Sequence, residues 1–472
     1  MQTNQNGSIL PQRCVPSAVR RQAANEVLRA TLRGGHRAVT GEEPFVTVDR
    51  VRVLWPDHLG LPRGKYIPER LADRGVRHCT GTWALGYDRD MTPYTPGSNW
   101  ELGLPDMEAV FDVAEIRPGW EEGTRVVIAD LTRNGEPVAV SPRAALRKAV
   151  ADWERTGLSP KAGIELEAYL LEPDGRGGFR PIDTPGAFVY GTGSAVDPHG
   201  VIDDIWSAAQ DAELTIESVN SEYDNGQFEL TLRYDDALRA ADDVFLFKLL
   251  AREVAFKRGF LLTFLGRPFV DRGGSGLHLN LSWSDDAGHN VVDDPSTDDQ
   301  ISEFAKQCIG GMLQHHRALA GLCAPTVNAY KRLKPAQLSG YWANWGYDHR
   351  GATIRISPER GEGARLEHRL SDGAAPPHVA LAAVLQACLL GVQAGADPGP
   401  PEGGNGLDVV EATVGTPPNL GEALDELEAD TALVDAVGAE LVAQHLAVKR
   451  TEWGKFLEAV TDWELREYLP FL

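Results

Sequence analysis

Cysteine is scarce and unpatterned in this chain of 472 residues. Cys14, Cys79, Cys308, Cys323 and Cys388 lie far apart, form no CxxC pair and leave an odd count. That argues against a disulfide framework and fits reduced packing thiols in a cytoplasmic protein. Positive charge is also short: 46 Lys and Arg stand against 68 Asp and Glu, a net charge of −22. Phosphate backbones and anionic lipid would be repelled, so neither nucleic acid nor a membrane is an expected partner. The N-terminus, MQTNQNGSILPQR, has no basic segment followed by an apolar core and reads as a flexible polar tail, residues 1–17, rather than an export signal. One apolar run, HVALAAVLQACLLGVQAGA at 378–396, approaches membrane length, but it is rich in Ala and Gly and carries Gln386 and Gln393. A helix buried in a large core is the expectation.

What is present suggests two domains. Residues 18–33 read as a helix, and TVDRVRVLW, DHLG and RGKYIP as strand, turn and strand, opening a small sheet-rich N-terminal domain that runs to residue 138. Ser141 and Pro142 suit an N-cap and first helical position, Leu146, Ala149, Val150 and Trp153 form one stripe, and Gly157 marks the stop, so a second domain, 139–472, begins there. Helices are expected at 241–259, 300–320, 378–394 and 420–470, and a loop at 396–406.

The strand GIELEAYLL (163–171) puts Ile164, Leu166, Ala168 and Leu170 on one face and Glu165, Glu167 and Tyr169 on the other. Alone this is an ordinary half-buried strand. The pattern recurs four times: Gln227, Glu229, Thr231 and Arg233 in GQFELTLRY; His278, Asn280 and Ser282 in GLHLNLSW; Arg355 in ATIRIS; Arg365, Glu367 and Arg369 in ARLEHRL. Exposed faces are usually Thr, Ser and Lys, whereas these hold no lysine. Carboxylates with one imidazole suit Mg²⁺ or Mn²⁺, and arginine forks suit phosphate or carboxylate, which together imply metal, phosphate and an acid substrate in one cleft. A glycosidase-type carboxylate pair needs neither the arginines nor His278.

Local matches carry less. GGSG at 273–276 lacks the lysine and helix start of a P-loop, and reads as a tight turn with a backbone role at a ligand. Asn280-Leu281-Ser282 spells a glycosylation triplet inside an alternating strand. His315 and His316 have no HExxH pattern and no acidic neighbour in sequence, so packing is expected of them.

In order, GIELEAYLL, ESVNSEYDNGQFEL, GGSGLHLNLSW, NAYKRLKP with WGYDHRGATIRIS, and RLEHRLSDGAAPPHVALA resemble the glutamine synthetase family. The resemblance implies an α+β fold: an N-terminal β-grasp domain and a catalytic domain whose curved antiparallel sheet, flanked by helices, forms a funnel. It implies homo-oligomers, dodecamers of two hexameric rings, in which residues 80–106 would complete a neighbour's site. Carried over motif by motif, Glu167, Glu222 and Glu229 would hold one divalent ion, Mg²⁺ or Mn²⁺, and Glu165, His278 and Glu367 another. Glu217, Asn280 and Ser282 match ATP-binding positions, with Arg350 and Arg355 on the transferred phosphate. Arg332, Arg369 and the backbone of Gly273 and Gly274 match the L-glutamate site. Arg350, Arg355 and Glu367 are the expected catalytic residues.

The departures are as informative. Matching from Arg332 to Arg350 without gaps puts Leu338 where ammonia-using members carry a glutamate, which would weaken ammonium binding and leave room for an alkyl or aryl group. A common histidine pair is Asn220 and Ser221 here, an asparagine that touches glutamate is Gly273, and the usual NPY is Pro376, Pro377 and His378. These changes spare the metal and phosphate positions and are expected to alter the acceptor end. They resemble the relatives that make γ-glutamyl amides of polyamines, ethanolamine, isopropylamine or aniline. The expectation is therefore an ATP- and Mg²⁺-dependent ligase joining L-glutamate to a small amine. Glutamine synthesis from ammonia is the alternative, and a structural or regulatory family member the non-enzymatic one.

Overall fold

The computed structural model describes residues 49–472, apart from 93, 99 and 185–187. The expected tail and 18–33 helix, with Cys14, lie outside the described residues. The N-terminal part holds two four-stranded sheets. In the first, β1 (Arg50–Pro56) pairs with β2 (Pro62–Pro68) and, in parallel, with β6 (Thr124–Ile128), which pairs with β5 (Arg117–Pro118). In the second the order is β3 (Val76–Cys79), β4 (Asp106–Val110), β7 (Asp130–Arg133) and β8 (Glu136–Pro137). The β1–β2 turn has a local cause: the Asp57 carboxylate accepts the amides of Leu59 and Leu61, and Gly60 takes φ +72°.

Alternation along β1 and β6 joins this part to the rest. Val51, Val53, Trp55 and Val127 belong to a small N-terminal core, while Leu54, Val126 and Ile128, pointing the other way, belong to the main core. The helix Pro142–Glu154 follows, with Pro142 in its first turn and Leu146, Ala149 and Trp153 buried. Ser141 takes the N-cap place although its hydroxyl bonds no helix amide. Gly157 turns the chain at φ +83°.

A nine-stranded sheet dominates the rest, in the order β11 (Ile216–Ser221), β12 (Gln227–Asp236), β9 (Ser159–Pro173), β14 (Leu277–Ser284), β17 (Leu366–His368), β16 (Ile354–Ile356) and β15 (Trp345–Tyr347), with β10 (Phe179–Pro181) and β13 (Leu261–Thr263) also on β9. It is antiparallel except for the β15–β16 pair. The expected strand over 364–370 contracts to Leu366–His368. Ile164, Leu166, Ala168 and Leu170 form the back of β9 in the main core, against the helix Ala237–Lys257.

The apolar run is the helix Pro377–Ala394, long and apolar enough to cross a membrane but 78% buried inside the protein. It packs against helices 142–154, 237–257, 303–314, 316–323 and 431–437, which accounts for its apolar character on every side. The helix expected over 300–320 is two, Glu303–Gln314 and His316–Cys323. The break falls at His315, whose Nδ1 lies 2.6 Å from Asp430 Oδ2, so it has an acidic partner that sequence proximity could not reveal. His316 is buried, within hydrogen-bond reach of the Tyr341 carbonyl and the Thr416 hydroxyl. Both histidines pack. Cys308, Cys323 and Cys388 are buried and free, and Cys79 is exposed and free.

Candidate active site

Strand register assembles the site. Residues paired across a ladder share a face, so each pairing extends a row of side chains over the front of the sheet. Asn220 pairs with Glu229, and Glu229 with Glu167. Thr231 pairs with Glu165, and Glu165 with His278. Asn280 pairs with Glu367, and Glu367 with Arg355. Three rows from six strands thus converge on one face, and their backs are the core.

His278 sits at the centre, 4% exposed. Its Nδ1 lies 3.2 Å from Glu165 and 3.7 Å from Glu367, and its Nε2 lies 3.6 Å from Glu167. Two groups of potential ligands, Glu165 with His278 and Glu367, and Glu167 with Glu229 and His278, each have one atom per residue within 4.8 Å of the others. Glu222 is in neither group. It lines the same cavity, and its carboxylate accepts the Tyr223 amide at 3.1 Å.

The electrostatics fit a cation. Burial, then the charge of Glu165, pushes the Glu229 carboxyl up to about 7; burial, then Glu167, raises Glu222. Burial would raise Glu165 and Glu367 too, but His278 outweighs it at Glu165, and Arg369, His278 and Arg355 outweigh it at Glu367, so both lie below the usual range. Carboxylates crowded until one is pushed toward neutrality, around one imidazole and with hard oxygen donors, suit Mg²⁺ or Mn²⁺.

The arginine side is equally ordered. Arg355 donates to Glu367 at 2.6 Å and to Asp348 at 3.0 Å, and Arg369 donates to the other Glu367 oxygen. Arg350 lines the cavity, exposed. Asn280 donates to Glu165 at 3.0 Å and accepts from Arg365 at 3.2 Å, and Ser282 lies 2.6 Å from the Tyr234 hydroxyl. Glu217 is exposed in a β-bulge between Ile216 and Ser218, where it accepts the Tyr234 amide.

At the other end Arg332 is buried, donating to the carbonyls of Leu370 and Arg369 at 3.2 Å each. The glycines of GGSG make room for it: a Cβ on Gly274 would lie 2.7 Å from Arg332 Cγ, and one on Gly276 would lie 2.6 Å from Arg332 Nη2 and 2.9 Å from His278 Nε2. Gly276 also donates its amide to Glu167 at 2.8 Å. Gly273 gives its amide to Asp224, while its carbonyl accepts the Tyr169 hydroxyl at 3.0 Å. Gln227 Oε1 and Arg369 Nε are buried here with no hydrogen-bond partner among the described residues, polar atoms open to something in the cleft.

The cavity, about 610 Å³, is lined by Glu165, Glu167, Glu222, Glu229, His278, Gly273, Gly274, Arg332, Arg350, Arg369 and Leu338, among others. Leu338 is 56% exposed on its wall. The other acceptor candidates are placed differently. Asn220 is on the front row beside Glu229, but Ser221 pairs with core-facing Phe228 and is buried, its hydroxyl on the Glu222 carbonyl. His378 is a correction of a different kind. It is fully buried at the start of the 377–394 helix with Nε2 2.8 Å from Asp242, and belongs to the core rather than to the acceptor end.

Sequence reasoning assigned no role to Asp224, Asp348, Val189, Tyr190, Tyr223 or Leu407. Asp224 and Asp348 are turn residues whose partners, Gly273 and Tyr169 for one and Arg355 for the other, come from the folded chain.

The family model described as glutamine synthetase, catalytic domain, matches residues 139–468. The glutamine synthetase of Rhizobium meliloti (strain 1021) is 34% identical over 428 residues, 87% of this chain and 94% of the relative. The glutamate–isopropylamine ligase of a Pseudomonas species is 31% identical over 444 residues, 90% and 96% of the two chains. The solved structure of GmaS with ADP superposes with a TM-score of 0.78 at 31% identity, covering 90% of this chain and 97% of that one.

Proposed function

The chain belongs to the glutamine synthetase family and is a carbon–nitrogen ligase, and from that premise we propose that it joins the γ-carboxylate of L-glutamate to an organic amine. One observation carries the choice of amine over ammonia: an apolar side chain, Leu338, stands on the cavity wall where the resemblance places a glutamate in ammonia-using members. A leucine offers no charge to an ammonium ion and favours a carbon substituent. The isopropylamine ligase and GmaS among the relatives support the reading.

The steps follow from charge. A γ-carboxylate oxygen attacks the terminal phosphorus of ATP, ADP leaves, and the resulting acyl phosphate has a good leaving group. The amine nitrogen then adds to the acyl carbon and loses a proton to solvent, and the C–O bond breaks with its electron pair leaving on phosphate. Arg350 and Arg355 are set to meet the charge on the moving phosphoryl group, with Glu367 and Asp348 fixing the Arg355 fork. Arg332, Arg369 and the 273–274 backbone orient the amino acid. Glu165, Glu167, Glu229, His278 and Glu367, with Glu222 beside them, would hold Mg²⁺ or Mn²⁺, two or more per subunit. Such ions supply Lewis-acid charge neutralisation when bound. Asn280, Ser282 and Glu217 are the proposed nucleotide side.

We assign the active assembly to rings stacked as a dodecamer. Tyr87, Tyr94 and Trp100, exposed apolar side chains in the 80–106 segment, are the proposed contribution to a neighbour. Light scattering on the purified protein tests the assembly. Phosphate release with ATP, Mg²⁺ and L-glutamate against ammonium, alkylamines, ethanolamine, polyamines and anilines, with products identified by mass, tests the reaction. Release with ammonium alone would return the protein to glutamine synthesis. No release with any amine, together with no metal binding, would leave a structural or regulatory role.

A further inference from the structure

The class of amine follows from a contrast inside the cleft. Its floor is buried and charged. Its more exposed lining, the mouth, carries two apolar groups, or walls: Val189, Tyr190 and Tyr223 in one, and Ala336, Leu338 and Leu407 in the other. Tyr223 is 80% exposed and Tyr190 64%. These are large apolar surfaces left uncovered by their own chain around a polar floor, an arrangement that marks a binding site more often than a solvated rim.

Both walls are fixed by the backbone. The Tyr190 amide donates to the Ser221 carbonyl at 2.9 Å, and the Ser221 amide to the Gly191 carbonyl at 3.0 Å, pinning the loop to the end of β11. Tyr190 turns at φ +63°, and Gly191 has no space for a side chain, since its Cβ would lie 2.8 Å from the Phe188 carbonyl oxygen. In the other group, the Ala336 amide donates to the Leu407 carbonyl at 3.3 Å. Ser221, absent from the cleft as a side chain, thus acts there through its main chain.

The charges weigh against one class. A polyamine would leave a second ammonium in the mouth, where it would need a carboxylate outside the metal-binding groups. Three acids outside those groups line the cavity, Glu222, Asp224 and Asp271; Glu222 stands among the proposed ion ligands and Asp271 is exposed. Asp224 is already taken by Tyr169, Gly273 and, at 3.7 Å, Arg272. Arg267, Arg272 and Arg350 line the same cavity and repel a further cation.

Resting on the ligase reading above, we propose that these two walls are the acceptor subsite and that the amine is a monoamine with an apolar body, preferably an aromatic one. Tyr190 and Tyr223 set that preference. The nitrogen reaches the acyl carbon on the floor while the body stays between the walls, offering its ring to two aromatic faces.

The test uses the purified full-length enzyme with ATP, Mg²⁺ and L-glutamate, and compares kcat/KM for benzylamine, methylamine, putrescine and ammonium. Benzylamine should exceed methylamine by about tenfold or more, given the 10- to 200-fold that even one methylene earns in an apolar pocket. Putrescine should fall below both. Tyr190→Ala and Tyr223→Ala should each lower the benzylamine-to-methylamine ratio about fivefold or more, and Tyr190→Phe should restore it. Preference for putrescine, or equal use of benzylamine and methylamine, overturns this inference and leaves the ligase reading standing. Turnover with ammonium alone, or with nothing, overturns both. A preference for benzylamine that neither alanine variant alters removes the tyrosines from the proposal.

Discussion

The floor and the mouth of the cleft are built by different physics. The floor is five strands in register, so Glu165, Glu167, Glu229, His278, Glu367 and Arg355 are placed by main-chain ladders and locked by one another. The mouth is loops, and its side chains are placed by a few long-range backbone bonds such as that from Tyr190 to Ser221. On the proposed reading, the floor holds one chemistry while the mouth selects among partners for it.

The sharpest way to break this division is at the floor. Glu229→Ala or His278→Ala should cost about 10²–10³-fold in phosphate release for every amine alike, because charge stabilisation common to all substrates is lost. Steady-state kinetics with two amines checks it. A loss confined to one amine would erase the distinction between floor and mouth.

Next in size is the scaffold behind the floor. Arg143 donates to both Asp242 oxygens and to Asp130, and His378 adds a contact to Asp242, tying the helices 142–154, 237–257 and 377–394 to β7. Arg143→Leu leaves the buried Asp242 carboxylate with only His378 of these partners and should destabilise the fold by about 3–5 kcal/mol, read by chemical denaturation. Burial pushes the Asp242 carboxyl up, but His378 and Arg143 outweigh it and hold it well below its ordinary value. A carboxyl depressed on folding stabilises the protein above its unfolded pKa, and that share is lost as pH falls from about 4 toward the folded value. Unfolding midpoints for wild type should therefore drop below about pH 4, and the Arg143 variant should lose part of that dependence.

At the mouth, Leu338→Glu should shift the ratio of ammonium to amine turnover toward ammonium by about tenfold, with little change in thermal midpoint, since the side chain is exposed. Smallest of all, Glu217→Gln on the bulge should raise the KM for ATP a few-fold and change stability by less than about 0.5 kcal/mol.

The same division decides what the amino-acid sequence reveals. Side chains on a strand alternate with a period of two, so the charged front and apolar back of β9, β12 and β14 are readable from composition alone, and register then brings the rows together. The family resemblance supplied roles, and the glycines of GGSG gained a physical reason only from the closeness of Arg332 and His278. Loops have no such period. Tyr190, Tyr223 and Asp224 carry no pattern that marks them, and Ser221 reads as a substituted histidine at the acceptor end, because the pairing with Phe228 that turns it inward is a tertiary fact. His378 misled for the opposite reason. It follows the site residues closely in sequence, yet the chain enters a helix there and carries it into the core.

The most direct measurement is the mass of the product formed when ATP, Mg²⁺, L-glutamate and equal concentrations of ammonium and benzylamine are offered together. A charged floor beneath an apolar mouth gives γ-glutamylbenzylamide as the main product, with one phosphate released for each. Glutamine as the sole product would contradict it.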